Sequence, residues 1–233
     1  MKKAAILVAG GTGTRMGSKK PKQFLELKGV PIVIHSIRQF LHWDKSMPLV
    51  LVMHTASRPE WDIIAKKFLS EEEMQRVTVC DGGAERSDSV HNGLIRLTQV
   101  IGSSVNYFVA IHDAVRPFVT HDMLDSAFSN AQAHGASVCC VAVKSSIREI
   151  GDDGKSQAVD RSRFFHVQTP QTFPLADLLA CYEKRPHNRF TDDASLYESF
   201  GNAVAICEGS YDNIKITTPE DLFVGEKILG KRS

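Results

Sequence analysis

Short apolar runs rich in β-branched residues alternate along the chain with longer segments of helical period, and that alternation restricts the fold more than any other feature. Candidate strands cover residues 4–9, 48–53, 77–80, 107–112, 137–143, 203–208 and 213–216. Between them lie candidate helices at 31–41, 59–69, 87–97, 121–134, 175–184, 192–200 and 219–229. In the first of these, Ile34, Ile37 and Leu41 recur at helical spacing. The last has a legible start, with Thr218 as N-cap, Pro219 at the first position, and Glu220 and Asp221 near the positive end of the dipole. The pattern is that of a parallel α/β sandwich, with no internal repeat and no low-complexity linker.

A chain of 233 residues with 42% hydrophobic and 24% charged residues is expected to fold as one domain, 1–233, around a sizeable core. Its formal net charge of +1 argues against broad capture of nucleic acid or of an anionic membrane, so any basic site must be local. No apolar stretch approaches the roughly 20 residues of a membrane span. With no leader segment in evidence, a cytoplasmic setting is expected. The five cysteines, Cys80, Cys139, Cys140, Cys181 and Cys207, form no Cys-x-x-Cys pair and are read as reduced, small hydrophobes. Nine histidines are scattered without metal-ligand spacing, and no structural zinc is expected.

The first candidate strand falls into a glycine-rich loop, from Ala9-Gly10-Gly11-Thr12-Gly13 on, which also supplies Arg15 and Lys22. Such a loop aims several backbone N–H groups at one spot, glycine leaves room for a phosphate to approach, and the two cations add full charges. The segment lacks the Gly-Lys-Ser/Thr ending of a Walker loop. It also misses the dinucleotide fingerprint, because Met16 stands where the third glycine should and Gly17 comes one residue late. It reads as a grip for a polyphosphate; a turn that needs glycine only to bend is the plainer alternative.

Three more clusters fall where a doubly wound sheet collects ligands, beyond the carboxyl ends of strands. Asp113-Ala114-Val115-Arg116 places an acid and a base where hydroxyl and phosphate groups are read, or where the two simply pair. Gly82-Gly83-Ala84-Glu85-Arg86-Ser87-Asp88-Ser89 repeats the strand, glycine and helix-start order, with Ser87 or Asp88 as a candidate N-cap. Asn213-Ile214-Lys215-Ile216 presents a lysine just before the last helix. From 144 to 166 the sequence is polar and turn-rich around Gly151-Asp152-Asp153-Gly154, which predicts a projecting β-hairpin arm. An isolated two-stranded arm is barely stable in water, so it is expected to pack on something, a second subunit being the natural candidate.

Taken in order, the glycine loop with Arg15 and Pro21-Lys22-Gln23, then His112-Asp113-Ala114-Val115-Arg116-Pro117, Thr169-Pro170-Gln171, Thr191-Asp192-Asp193-Ala194-Ser195 and Asn213-Ile214-Lys215 resemble one family over nearly the whole chain. That family is 2-C-methyl-D-erythritol 4-phosphate cytidylyltransferase, of non-mevalonate isoprenoid biosynthesis; its sister, ribitol-5-phosphate cytidylyltransferase, shares most of these motifs. The resemblance implies a Rossmann-like α/β fold, a mostly parallel central sheet with helices on both faces, plus a protruding β-arm for dimerisation. It implies CTP and a sugar-alcohol phosphate as substrates and Mg²⁺ or another divalent cation bound mainly through the CTP phosphates, with few or no protein ligands.

Carried over by position, the resemblance assigns Arg15, Lys22 and Lys215 to catalysis by charge stabilisation. It puts CTP against Ala9, Gly10, Gly11, Gly13, Gly83 and Ser89, and the acceptor against Asp113, Arg116, Ser146, Arg161 and Thr191. Arg161 and Thr191 are expected to come from the partner of a homodimer with shared active sites. Two departures touch the acceptor and nucleotide ends: Ser145-Ser146 where the family commonly has Asp-Thr, and Ala84 where some members carry an acid. A non-catalytic CTP-binding regulator and an NAD(P)-dependent reductase on a similar sandwich are the competing readings.

Overall fold

The computed structural model describes residues 1–11, 20–186 and 190–232. The chain opens with β1 (Lys2–Ala9), then a small hairpin of β2 (Glu26–Leu27) and β3 (Val30–Pro31) leading into α1 (Ile32–Trp43). It continues through β4 (Leu49–Met53), α2 (Arg58–Phe68), α3 (Glu71–Arg76), β5 (Val77–Asp81), α4 (Arg86–Ile101), β6 (Tyr107–Asp113), α5 (His121–His134) and β7 (Ser137–Ala142). The 144–166 segment carries β8 (Arg148–Ile150) and β9 (Ser156–Ala158), after which come β10 (Phe165–Pro174), α6 (Leu175–Lys184), α7 (Asp193–Ser199), β11 (Ala205–Glu208) and α8 (Pro219–Arg232).

Seven strands form one sheet in the order β11-β7-β10-β6-β1-β4-β5. Its neighbours are parallel except for β10, which runs antiparallel to both β6 and β7. The expected mostly parallel sheet with helices on both faces is therefore what the chain builds. The period of 2 in β1 explains why: Ala5, Leu7 and Ala9 face one side and Ala4, Ile6 and Val8 the other, and all are buried. The first set packs with Ile34, Ile37 and Leu41 of α1, Trp61 and Ile64 of α2, and Leu124 and Phe128 of α5. The second packs with Val90, Leu94 and Leu97 of α4, Leu178 and Tyr182 of α6, and Leu196 and Tyr197 of α7. Helix α8 closes a third, smaller cluster over Leu27, Ile32, Phe118 and Ile216.

The structure corrects one expected strand and adds elements that the sequence pattern does not announce. Residues 213–216 form no strand: Asn213 N–H closes a turn onto Ser210, and Ile216 N–H bonds the Val115 carbonyl, so the segment is a loop tied to another loop. Strand β10 was not expected, since Pro170 inside the run lacks the N–H a central strand needs. The ladder accommodates it with a register break between Val167 and Gln171. Helix α3 has no buried residue, yet its capping box, Ser70 with Glu73, was readable as a start signal. The hairpin β2–β3 was likewise not foreseen. The expected arm does form a hairpin, with Arg148 paired to Ala158 and every residue of both strands exposed. Thr217 and Thr218 N–H groups donate to the Asp221 carboxylate at the entry to α8, so the acid caps the turn along with the proline.

Strand order reverses between β1 and β6: the chain leaves β1 toward β4 and β5, then crosses back to place β6 on its other side. Val8 pairs with Asp113 there, so the loops after the two strands start side by side with a gap between them.

Candidate active site

The gap is a cleft of about 310 Å³ lined by Ala9, Gly10, Gly11, Lys22, Gly83, Ser89, Asp113 and Lys215, with Arg86 on its wall. These residues come from five separate described stretches of chain, and local folding explains their places. Lys22 opens a 3-10 turn whose next residue, buried Gln23, donates its amide to the Ala9 carbonyl at 2.8 Å, tying the turn to the end of β1. Gly82 N–H donates to the Met53 carbonyl at 2.8 Å and anchors the second glycine loop to β4. Ser89 Oγ accepts from Gly83 N–H at 3.1 Å and donates to the Glu85 carbonyl at 3.1 Å, stapling that loop to the first turn of α4. A Cβ on Gly83 would lie 2.2 Å from the Asp88 Cβ, so this turn has room for glycine alone. The N-cap of α4 is Glu85 in a capping box with Asp88, two residues before Ser87 and three before Asp88, the caps expected from the sequence.

Asp113, at the end of β6, is the electrostatic centre. Its carboxylate lies 2.8 Å from Lys215 Nζ, 3.4 Å from Arg86 Nε and 3.8 Å from Arg116 Nε. Burial alone would raise its pKa, but Arg86, Lys215 and Arg116 overcome that and hold the carboxyl well below the usual carboxylate range. Three cations around one carboxylate leave a local surplus of positive charge, which suits an anionic ligand. Arg116 donates to the Asn213 carbonyl at 2.8 Å, and this bond carries the Lys215 loop to the cleft.

Behind Asp113, fully buried His112 bridges two loops. Its Nε2 lies 3.0 Å from the Arg116 carbonyl, which can only accept, so Nε2 carries the proton. Nδ1 then accepts from the Thr169 hydroxyl at 3.0 Å, and Thr169 Oγ1 in turn accepts from Asp113 N–H at 3.1 Å. Burial drives the ring pKa down to about 4, so it is neutral at physiological pH.

A second cleft of about 280 Å³ adjoins the first through Arg86, Asp113 and Lys215, and adds Arg116, Gln168, Thr169, Gln171, Thr191 and Asp192. Thr191 lines this cleft within its own chain, where the resemblance led to the expectation of a residue from a partner. Gln171 fixes the approach: its amide nitrogen donates to the Asp192 carboxylate and its oxygen accepts from Ala194 N–H, both at 2.9 Å.

Other expected site residues fall elsewhere. Gly13 and Arg15 lie outside the described residues. Ser146 and Arg161 are exposed on the arm and line neither cleft, the Arg161 guanidinium donating to the Lys144 carbonyl. Sequence reasoning also missed Arg86. It reaches Asp113 through Nε, and Asp193 through Nη2 at 2.8 Å, 107 positions along the chain. An arginine directly before a predicted helix looks like an end charge, and only the glycines beside it hinted at a ligand loop. Among the described residues, no three His, Cys, Asp or Glu side chains cluster to hold a metal.

A family model described as 2-C-methyl-D-erythritol 4-phosphate cytidylyltransferase matches residues 3–231. A relative of that name from Bacillus mycoides is 40% identical over 226 residues, 96% of this chain and 96% of its own. The crystal structure of 4-diphosphocytidyl-2C-methyl-D-erythritol synthase from Anaerococcus prevotii matches with a TM-score of 0.82 at 26% identity, covering 98% of both chains. That of 2-C-methyl-D-erythritol 4-phosphate cytidylyltransferase from Thermus thermophilus matches with a TM-score of 0.76 at 27% identity, again covering 98% of both.

Proposed function

This chain belongs to the 2-C-methyl-D-erythritol 4-phosphate cytidylyltransferase family, and from that premise we propose that it joins CTP to 2-C-methyl-D-erythritol 4-phosphate, giving 4-diphosphocytidyl-2-C-methyl-D-erythritol and pyrophosphate. The observation that carries the reading is the meeting of Arg86, Arg116 and Lys215 around Asp113 where two adjoining clefts share a wall, with Lys22 lining the first of them. One cleft, lined by glycine loops, suits the nucleotide; the other, with Thr191 and Asp113, suits a hydroxylated phosphate.

An alkyl phosphate is already an ionised nucleophile at neutral pH, so the reaction calls for no activated serine or cysteine. An oxygen of the acceptor phosphate attacks the α-phosphorus of CTP. The bond from that phosphorus to the bridging oxygen breaks, and its electron pair leaves on pyrophosphate. The work left to the protein is to hold two anions in line and to meet charge developing on the equatorial and leaving oxygens. Lys22 in the first cleft and Lys215 on the shared wall take that role, with Arg15 expected to join them. The backbone at Ala9, Gly10 and Gly11 holds the nucleotide, with Gly13 expected to join it, and Ser89 keeps the Gly83 turn in shape against it. The donor set, cationic and with its central carboxylate already flanked by Arg86, Arg116 and Lys215, fits a divalent ion carried by the nucleotide. Mg²⁺ bound through the CTP phosphates would neutralise triphosphate charge.

The enzyme is further proposed to act as a homodimer. Phe164, Phe165, Val167, Ile206 and Tyr211 are exposed apolar or aromatic groups at the foot of the arm, and the arm's own strands bury nothing. A partner seated there would carry Ser146 and Arg161 toward the neighbouring acceptor cleft. No described helix is long and apolar enough to cross a membrane, and all five cysteines are free thiols, which supports a reducing, cytoplasmic setting.

Pyrophosphate release with Mg²⁺ and CTP tests the reading, comparing 2-C-methyl-D-erythritol 4-phosphate, ribitol 5-phosphate and no acceptor. Release with the methylerythritol phosphate alone supports it. Preference for ribitol phosphate would move the chain to the sister activity, and CTP binding without release would make it a regulator.

A further inference from the structure

Behind the shared wall lies a carboxylate that neither cleft contains. Asp193, at the first turn of α7, is fully buried, and an ionised group there is costly unless every oxygen finds a partner. Both do: Oδ1 accepts from the Tyr182 hydroxyl at 2.5 Å, and Oδ2 accepts from Arg86 Nη2 at 2.8 Å. Tyr182 is itself immobilised. It is buried on α6, stacked on His91 with ring centroids 5.8 Å apart, and capped by the Arg185 guanidinium at 5.4 Å.

Arg86 is thus held at two edges, by Asp193 through Nη2 and by Asp113 through Nε at 3.4 Å, while 32% of its side chain remains exposed. That remainder faces both clefts, since Arg86 lines each of them. A planar guanidinium fixed at two edges presents its other N–H groups in one orientation, which a lysine in the same place would not do.

We propose that Asp193, braced by the Tyr182 hydroxyl, is a positioning residue for nucleotidyl transfer: it fixes the Arg86 guanidinium on the wall common to the nucleotide and acceptor clefts. The inference rests on the proposed cytidylyl transfer. Arg86 then meets charge on both reactants without having to reorganise during the reaction. Asp193 touches no substrate, and its whole effect passes through Arg86.

The test is steady-state kinetics of pyrophosphate release by the full chain carrying Asp193→Asn, Tyr182→Phe, Arg86→Met, or Asp193→Asn with Arg86→Met, each checked for folding by thermal melting. Turnover by the unaltered protein tests the proposed reaction separately, so failure of that reading is distinguishable from failure of this one. Asp193→Asn is expected to lower kcat at least tenfold while both KM values move less than threefold, because misplacement of a charge is felt in the transition state. Tyr182→Phe is expected to lower kcat at least threefold. The double variant is expected to be no slower than Arg86→Met alone, since a residue that acts through Arg86 has nothing left to position. Losses that simply add in the double variant, or a wild-type kcat in Asp193→Asn, would overturn the proposal. Should Asp193→Asn fail to fold, Tyr182→Phe decides, and an unchanged kcat there would overturn it.

Discussion

Replacing His112 by glutamine should flatten the acid limb of this protein's stability. The imidazole is fully buried at the end of β6, and burial pulls its pKa from 6.5 to about 4 against the opposing pull of the Arg116 carbonyl and Asp113. In the unfolded chain the ring takes up its proton near 6.5, whereas in the folded chain it stays neutral until about pH 4. Between those values the unfolded state binds more protons, so stability falls as pH drops through that window. At about 1.4 kcal/mol per pKa unit, the full loss is about 3 kcal/mol, of which about 2 kcal/mol is gone by about pH 5. Asp113 acts in a different window. Its folded pKa is depressed, so its contribution is present above the unfolded value of 3.8 and is lost only as pH falls below it. Urea titrations at about pH 8 and about pH 5 separate the two groups. The other histidines contribute equally to both proteins, so the unaltered chain should lose about 2 kcal/mol more than His112→Gln between those conditions. Equal losses would refute a buried, neutral imidazole behind the site.

Three further outcomes follow from the cleft. Lys22→Ala and Lys215→Ala should each lower kcat by roughly 10²–10³, about 2.7–4 kcal/mol of transition-state stabilisation; steady-state pyrophosphate release at saturating CTP reads it, and full turnover in both would remove the charge-stabilising role. Gly83→Ala should weaken CTP binding at least about tenfold by calorimetric titration, because a new Cβ would meet the Asp88 Cβ at 2.2 Å and push the glycine turn off α4; unchanged affinity would mean the nucleotide does not use that turn. Arg161→Ala should leave CTP affinity almost unchanged and raise acceptor KM, and hybrids with Lys215→Ala chains should regain one working site; hybrids without activity would mean that each site is built within one subunit.

The parts of this molecule that were legible in its sequence are those governed by local rules. Alternating burial in β1 and the helical spacing of Ile34, Ile37 and Leu41 reflect packing on immediate neighbours, and the bounds of α5 and α6 follow from it. The hairpin arm was signalled by Gly151 and Gly154, the latter at φ 76°, where a turn needs a residue free of a Cβ. Elements that depend on distant partners were not legible. Strand β10 contains Pro170 and reads as a loop until β6 and β7 are known to flank it. Residues 213–216 carry the β-branched pattern of a strand but find no strand to pair with, only Val115 and Arg116. The site divides in the same way. Lys22, Gly83 and Asp113 follow strand ends and were found. Arg86 acquires its meaning from Asp193, and no local pattern joins two residues so far apart in the chain.

The most direct test of cytidylyl transfer at this wall is ³¹P NMR of the protein with CTP, Mg²⁺ and 2-C-methyl-D-erythritol 4-phosphate labelled with ¹⁸O in its phosphate. The account predicts that the acceptor phosphate and the α-phosphorus of CTP become a coupled diphosphate pair. The label should appear in the bridging oxygen, with pyrophosphate formed in equal amount. Inorganic phosphate in place of pyrophosphate, or an acceptor resonance that stays a monoester while CTP is consumed, would contradict it.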